Sequence, residues 1–273
     1  MYYFLFSLIV LVASTLGALA GIGGGVIIRP ALDAFNYYQE PLIVNFLSAF
    51  CVLAVALTSV IKRIITKQKI DNYLTSIFLG IGAATGGVAG NYLFKLVKSA
   101  SNKNWLVIIQ SIVLILFLIF VIIYMLVLKK KGIQFKIKNW AIKILIGLFL
   151  GVASSFLGIG GGPINVAVLC FFFSMTMKES SINSLIIIIF SQTSKIIVAL
   201  IDGSLLSPST NMDWWMLLCL VPIAVGGSLL GSWLNKKLSE KTILYVYIIS
   251  VFVIIGINIY NIITNSLTLG GII

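Results

Sequence analysis

Long runs of apolar residues, separated by short polar loops, make up most of the chain. A helix of about 20 apolar residues spans the hydrocarbon core of a bilayer. Eight runs approach or exceed this length, and we therefore predict eight long transmembrane helices. They cover residues 2–20, 42–61, 73–97, 105–128, 140–158, 183–201, 213–234 and 242–264.

Two shorter apolar segments, 25–35 and 162–176, each follow a Gly-Ile-Gly-Gly-Gly sequence. We call Gly21–Gly25 the first glycine cluster and Gly158–Gly162 the second glycine cluster. The second begins 137 residues after the first. Segments this short do not span a bilayer unaided. The pattern predicts two short half-helices that start at glycine-rich breaks inside the membrane.

Composition agrees with a membrane protein. Hydrophobic residues fill 60% of the 273 positions and only 10% are charged, whereas a soluble domain has about 25% charged residues. Lys and Arg outnumber Asp and Glu by 19 to 7. These cations cluster in loops between spans, where they set topology, and we expect no nucleic-acid binding. Residues 1–12 lack the charged start of a signal peptide. We predict an all-α, multi-pass integral membrane protein of the plasma membrane.

The two halves of the chain repeat one order of elements. Each has a glycine cluster, a short segment and then three long helices, which predicts repeats at 1–131 and 132–273 within one transport domain. Asn45 and Asn183 lie at equivalent places in the first of these three helices. Glycines that permit close helix packing recur in the next helix. They are Gly86, Gly87 and Gly90 in the first half and Gly226, Gly227 and Gly231 in the second.

Loop charges predict that the two repeats are inverted. Loop 62–71 contains four cations, whereas its counterpart 202–213 contains none. Loop 129–143 contains six lysines, whereas its counterpart, the tail 265–273, has no charge. Cationic loops stay in the cytoplasm, so equivalent loops face opposite sides and both termini lie outside. Loop 95–104 disagrees, because it has three lysines and is placed outside.

The glycine clusters are candidates for anion binding. Glycine adopts backbone angles closed to other residues and exposes N–H groups. A helix that starts after such a break directs its N–H groups and positive dipole end at the break, and Pro163 suits its first turn. In inverted repeats the two breaks approach each other at mid-depth. Kinked, tightly packed helices are the alternative. The predicted backbone donors are Gly21, Gly23, Gly24, Gly25, Gly158, Gly160, Gly161 and Gly162.

Two cations lie within apolar sequence. Arg29 follows the first glycine cluster, and Lys195 lies in the run 183–201. A charge inside the membrane marks a functional site by default, and we predict that both side chains attract an anionic substrate. The alternatives are structural. Arg29 can pair with Asp33 at i+4, and Lys195 can snorkel to the interface or pair with Asp202.

Polar side chains in the predicted helices could bond the oxygens of a substrate. The candidates are Asn45, Asn183, Gln192 and Thr193, of which the two asparagines match across the repeats. Hydrogen bonding between helices is the alternative role of each residue.

Acidic residues are absent from the predicted membrane centre. All seven map to loops or helix ends, whereas cation transporters and proton relays place carboxylates inside. The chain has no histidine, and Cys51, Cys170 and Cys219 show no CxxC spacing. We therefore expect no metal site, no cofactor and no direct proton coupling through a side chain.

Two stretches carry a resemblance to a known family. Leu19–Gly25 reads Leu-Ala-Gly-Ile-Gly-Gly-Gly, and Phe156–Pro163 reads Phe-Leu-Gly-Ile-Gly-Gly-Gly-Pro. They resemble the sulfite exporter TauE/SafE family, also called the toluene sulfonate uptake permease family. Pro30 matches the family's usual proline, whereas Arg29 replaces an apolar residue and the family's Ala-x-Gly-Thr-Ser stretch is missing. The resemblance covers the whole chain. It implies about eight spans in two repeats and transport of sulfite, thiosulfate or sulfonates.

We expect a secondary transporter, not an enzyme, that carries a small anion by alternating access. A transporter of divalent metal cations or of another small anion is the alternative. A membrane-embedded enzyme would need a nucleophile–base pair or metal ligands at membrane depth, which the sequence does not offer. The expected partners are a small anionic substrate and the lipid bilayer, and a homo-oligomeric assembly stays open.

Overall fold

The computed structural model describes residues 2–35, 41–68, 70–100, 102–128, 132–203 and 213–269. Within these ranges the chain forms ten α-helices and no strands. A π-helical turn, Tyr124–Leu128, directly continues the fifth helix. The helices are α1 Tyr2–Ala20, α2 Gly25–Ala34, α3 Pro41–Ile65, α4 Tyr73–Ala100, α5 Lys103–Ile123, α6 Trp140–Leu157, α7 Gly162–Phe173, α8 Met177–Ile201, α9 Trp214–Lys237 and α10 Glu240–Leu269.

The predicted all-α membrane architecture is confirmed. In the described part of the chain, eight helices are long and apolar enough to cross a bilayer: α1, α3 to α6 and α8 to α10. Several extend beyond the apolar runs. Helix α8 begins at Met177 rather than at residue 183, because Thr176 and Glu179 form a capping box that starts the helix in polar sequence. Helix α3 continues past residue 61 to Ile65.

Helices α2 and α7 are the two predicted half-helices. Both start within a glycine cluster, at Gly25 and Gly162. The residues before them turn the chain with positive φ angles, 77° at Gly24 and 69° at Gly161, which only glycine adopts without strain. Helix α7 ends at Phe173, earlier than the predicted residue 176, because Ser174 takes a left-handed conformation with φ 54°.

The helix contacts repeat across the two halves. Leu148 of α6, in the second half, packs against Gly86 of α4, in the first half. The equivalent residue of α1, Leu11, packs against Gly227 of α9. A Cβ added to Gly226 would meet nothing within 4 Å. Gly227 is therefore the structural equivalent of Gly86, one residue later than the sequence pattern indicated.

Helix directions show that the two sets of helices are inverted. Along α3 and its equivalent α8, Phe46 packs with Ile196 and Val52 packs with Ile188, so the residue numbers run in opposite directions. Helices α5 and α10 are also antiparallel, since Asn104 at the start of α5 donates to Thr268 at the end of α10. Equivalent helices that run antiparallel are related by a two-fold axis perpendicular to them, as in inverted repeats.

One end of the helix bundle is rich in cations. Arg63 at the end of α3 donates to Asn235 near the end of α9, so these helices finish together. Lys95 and Asp202 lie at the opposite end, where α4 and α8 finish. Five charged residues lie outside the described residues: Lys69, Lys129, Lys130, Lys131 and Glu40. Segments 204–212 and 270–273, used in the loop comparison, also lie outside them. The repeat boundary at 131/132 and the side of the membrane that each end faces stay predictions.

Candidate functional site

The two glycine clusters touch each other in the centre of the bundle. A Cβ added to Gly25 would lie 2.8 Å from the carbonyl oxygen of Ile159, and one added to Gly162 would meet the carbonyl oxygen of Ile22. Val52 of α3 lies beside both clusters. The two breaks therefore approach one another, each in the backbone conformation that exposes N–H groups.

Polar side chains converge on the second glycine cluster. Gly158 faces Oδ1 of Asn45 and Nη1 of Arg29. Helix α7 starts beside them, and its N-cap residue Gly161 supplies no side-chain hydrogen bond to the first N–H groups. The candidate site thus joins an uncapped helix start to a guanidinium and an amide from the first repeat.

Arg29 is only 3% exposed and is incompletely paired. Its Nη2 donates to Oε1 of Gln110, which in turn donates to the carbonyl oxygen of Phe156. Its Nε lies 3.6 Å from Oδ2 of Asp33. The structural alternative, pairing at i+4, is thus present. Asp33 is itself only 10% exposed, so this acid is more buried than its position near a helix end indicated. Among the described residues, Nε and Nη1 of Arg29 have no hydrogen-bond acceptor.

Lys195 is 4% exposed, and no described residue accepts a hydrogen bond from its Nζ. It therefore does not snorkel. The alternative partner Asp202 pairs instead with Lys95. Lys195 shares a cavity of about 20 Å³ with Asn45, and it is close enough to Arg29 to interact electrostatically.

Gln192 lies beside the second glycine cluster, and Thr193 does not. The Nε2 atom of Gln192 is 3.7 Å from a Cβ added to Gly160, while its Oε1 has no partner among the described residues. Its Nε2 makes only long hydrogen bonds, of 3.5 Å, to Ser154 and Ser191. Thr193 is exposed on the opposite face of α8, because adjacent helical residues point in different directions.

The first glycine cluster has better-satisfied neighbours. Ser184 donates to the carbonyl oxygen of Gly21 at 2.8 Å, and Asn235 donates to that of Leu19 at 2.6 Å. Asn183 donates to the carbonyl oxygens of Asp71 and Glu179. It also accepts a hydrogen bond from Ser76 at 2.7 Å. Asn183 therefore forms hydrogen bonds between helices, as in the structural alternative to substrate binding.

Three residues at the second cluster were not singled out by the sequence. Gln110 orients Arg29, Ser154 lies within 3.5 Å of Gln192, and Asn165 has an unpaired Oδ1 that is 3.3 Å from a Cβ added to Gly161. Gln110 and Asn165 each stand as an amide in an otherwise apolar stretch. That pattern is the signal that could have identified them.

The cysteines do not gather at this site. Cys51 and Cys170 are buried and Cys219 is exposed. The described ranges contain no group of three or more His, Cys, Asp or Glu residues that could hold a metal ion.

An inverted helical bundle with paired helix breaks at its centre defines a polytopic membrane transporter. Comparison with known proteins specifies the family. Residues 6–259 match the family described as "Sulfite exporter TauE/SafE", and the chain belongs to this family. The chain is also similar to the "Probable membrane transporter protein YunE" of Bacillus subtilis (strain 168), with 27% identity over 263 residues. That match covers 90% of this chain and 93% of the relative. No solved structure matches the chain.

Proposed function

We propose that this transporter carries a small sulfur-containing anion, such as sulfite, thiosulfate or an organosulfonate, across the plasma membrane by alternating access. The observation that carries the proposal is a pair of buried cations: Arg29 lies beside the second glycine cluster, and Lys195 shares a small cavity with Asn45, which also contacts that cluster. Arg29 has one carboxylate neighbour, Asp33, and Nζ of Lys195 has no partner among the described residues.

A buried charge without a counter-ion costs several kcal/mol, even after relaxation and water penetration. An anion between Arg29 and Lys195 would remove the repulsion between them and supply acceptors for their free N–H groups. Backbone N–H groups at the start of α7 and donors from Asn45 and Gln192 would complete its coordination. The remaining cluster glycines would shape the break. We assign no substrate contact to Thr193, and we assign Asn183 a structural role.

The sulfur chemistry of the substrate is supported by the family description, which names sulfite export. Another small oxyanion is the second candidate, because guanidinium, ammonium and N–H donors also suit phosphate or carboxylate groups. A divalent cation is disfavoured, since it would have to enter a site where Arg29 and Lys195 repel it.

Flux measurements in liposomes test the proposal. The purified protein is reconstituted, and initial uptake is measured for labelled sulfite, thiosulfate, a sulfonate, sulfate and phosphate. We expect saturable flux for at least one sulfur anion and a loss of about 100-fold in Lys195→Met, because an unshielded charge contact inside a membrane is worth several kcal/mol.

The matched control is Lys241→Met, which removes the same charge from an exposed position at the start of α10. It should leave flux within about twofold, as expected for a surface substitution. The absence of saturable flux for every sulfur anion would overturn the proposal. So would equal flux in the wild type, Lys195→Met and Gly161→Leu.

A further inference from the structure

Two equivalent cavities at opposite ends of the bundle differ in volume. A cavity of about 220 Å³ opens at the cation-rich end, between the last turns of α3 and α9 and the first turns of α8. We call it the vestibule. At the opposite end, the cavity that holds Asn45 and Lys195 has a volume of only about 20 Å³. The ion pair between Lys95 and Asp202 lies in its wall.

The internal symmetry identifies residues that differ between the two ends of the bundle. With Gly90 aligned on Gly231, Lys95 of α4 is equivalent to Lys236 of α9. With Asn45 aligned on Asn183, Asp202 is equivalent to Ile64. At one end, Asp202 therefore forms an ion pair with Lys95. The other end has an apolar residue at the same place, and its lysine lacks the equivalent partner.

The vestibule concentrates positive charge. Lys62, Arg63 and Lys236 line it, and no carboxylate is among its described lining residues. The hydrogen bonds found for the first two go to neutral acceptors: Lys62 to the carbonyl oxygen of Leu229 at 2.8 Å, and Arg63 to Oδ1 of Asn235 at 3.2 Å. Three like charges in one cavity repel each other, and a bound anion would relieve that repulsion.

The inner wall of the vestibule lies against the first glycine cluster. Ser181 lines the cavity, and the backbone of Ser181 packs directly against Gly21. Asn235, also in the lining, bonds the carbonyl oxygen of Leu19 just before the cluster. The wall of the cationic cavity therefore contacts the first glycine cluster.

We infer that the vestibule is a second, peripheral binding site for a small oxyanion, formed by Lys62, Arg63 and Lys236. It rests on the proposed function, because it would collect the anion that the central site then carries. A dilute anion reaches a cation-lined cleft faster than it reaches an uncharged cleft. The cations focus the electrostatic potential and raise the local anion concentration.

Trp233 provides a reporter in the cavity wall. Protein labelled with 5-fluorotryptophan is placed in nanodiscs of phosphatidylcholine, and the ¹⁹F resonance of Trp233 is assigned with Trp233→Phe. Sodium sulfite and sodium sulfate are titrated against sodium chloride at constant ionic strength. We expect a saturable shift with the oxyanions. The shift should persist in Arg29→Met/Lys195→Met, which disables the central site. A failure of the transport proposal and a failure of the vestibule proposal are thereby distinguishable.

Two triple variants with the same change in charge decide whether the vestibule is a site. Lys62→Gln/Arg63→Gln/Lys236→Gln should weaken the apparent affinity by about tenfold or more, because it removes all three contacts. Lys67→Gln/Lys178→Gln/Lys241→Gln removes three cations near the same end but outside the described lining, and should weaken it by less than about twofold. If the first triple variant fails to fold, Lys236→Gln alone should weaken binding by about threefold.

Equal weakening in both triple variants would overturn the inference, because a diffuse surface potential would then explain the binding. The absence of any saturable shift would overturn it as well. A shift that appears in phosphatidylglycerol nanodiscs without added oxyanion, and is not changed by sulfite, would assign the cavity to a lipid headgroup and also overturn it.

Discussion

The two glycine clusters share one sequence and one backbone form, but their polar neighbours differ. At the first cluster, Asn183 uses its amide in three hydrogen bonds and the carbonyl oxygen of Gly21 accepts from Ser184. At the second cluster, Asn45, which is equivalent to Asn183, has an unpaired Oδ1 beside Arg29. Ser14, next to the first cluster, is an exception, because its hydroxyl also lacks a partner among the described residues.

Whether a buried polar side chain is fully hydrogen-bonded indicates whether its role is structural or functional. Buried polar groups in proteins are nearly always hydrogen-bonded, and each exception needs an explanation. The first cluster follows the rule because its neighbours tie α8 to α4, α9 and the break itself. Four exceptions lie around the second cluster, where a ligand would satisfy them: Arg29, Asn45, Asn165 and Gln192. We therefore expect substitutions at the first cluster to lower stability and substitutions at the second to lower transport.

The largest loss of stability is expected for glycines that pack directly against backbone, a feature that both clusters share. In Gly21→Leu the side chain would meet the backbone of Ser181, and in Gly162→Leu it would meet the carbonyl of Ile22. Backbone cannot move aside as a flexible side chain can, so both variants should lose more than about 4 kcal/mol or fail to fold. Gly226→Leu is the control, since it has open space. Yield and unfolding temperature in detergent are the measurements. A variant as stable as the control would contradict the expectation.

The next prediction compares a substitution near each cluster, one expected to lower flux and the other to lower stability. Lys195→Met is expected to lower flux by about 100-fold yet leave the unfolding temperature unchanged or raised, because apolar replacement of a buried unpaired charge is often neutral or stabilising. Asn183→Leu should lower the free energy of unfolding by about 1–3 kcal/mol, through lost hydrogen bonds. Flux per folded molecule should stay within about threefold. The comparison fails if Lys195→Met unfolds the protein or if folded Asn183→Leu is inactive.

A smaller effect is expected at the closed end. Asp202→Asn removes the ion pair with Lys95 and should let a reagent reach Ala199, which lines the small cavity. In a Cys219→Ala background, we expect Ala199→Cys to react about threefold faster with a membrane-impermeant maleimide, in line with the modest strength of exposed pairs. Glu240→Gln removes a carboxylate from the other end and serves as the control. Equal rates in both variants would show that the pair does not close the cavity.

The smallest effect concerns two neighbours on α8. Thr193→Val should change flux by less than about twofold, because the side chain is exposed on the face away from the clusters. Gln192→Leu should raise KM by about three- to tenfold, through loss of a hydrogen-bonding amide beside Gly160. Concentration dependence of initial uptake gives both values. A larger change in Thr193→Val than in Gln192→Leu would reverse the assignment.

Most of the fold could be predicted from the sequence, because hydrophobic runs and glycine breaks are local signals. The eight long helices and the starts of α2 and α7 follow directly from them. Helix ends were harder to predict. The start of α8 depends on the capping pair Thr176 and Glu179, which lies in polar sequence that the hydrophobic pattern ignores.

The site could be predicted only in outline. Asn45 and Asn183 are equivalent in the sequence, and their different roles depend on partners that are distant along the chain. Ser76 bonds Asn183 from 107 positions away. Gln110 likewise reaches Arg29 across 81 positions. Pairing at long range decides which buried groups are satisfied, and neither spacing nor composition records it.

In the proposed alternating-access cycle, the ion pair between Lys95 and Asp202 would contribute to the energy difference between the two end states. Its side chains are 32% and 27% exposed. A pair of this kind contributes about 0.2–1 kcal/mol, which changes a two-state ratio by about 1.4- to 5-fold. In that proposed cycle, an inverted duplication would make the two end states similar in energy, and a single acid without a counterpart would tip the balance between them. Since salt screens such pairs, the resting population of each state should vary with ionic strength.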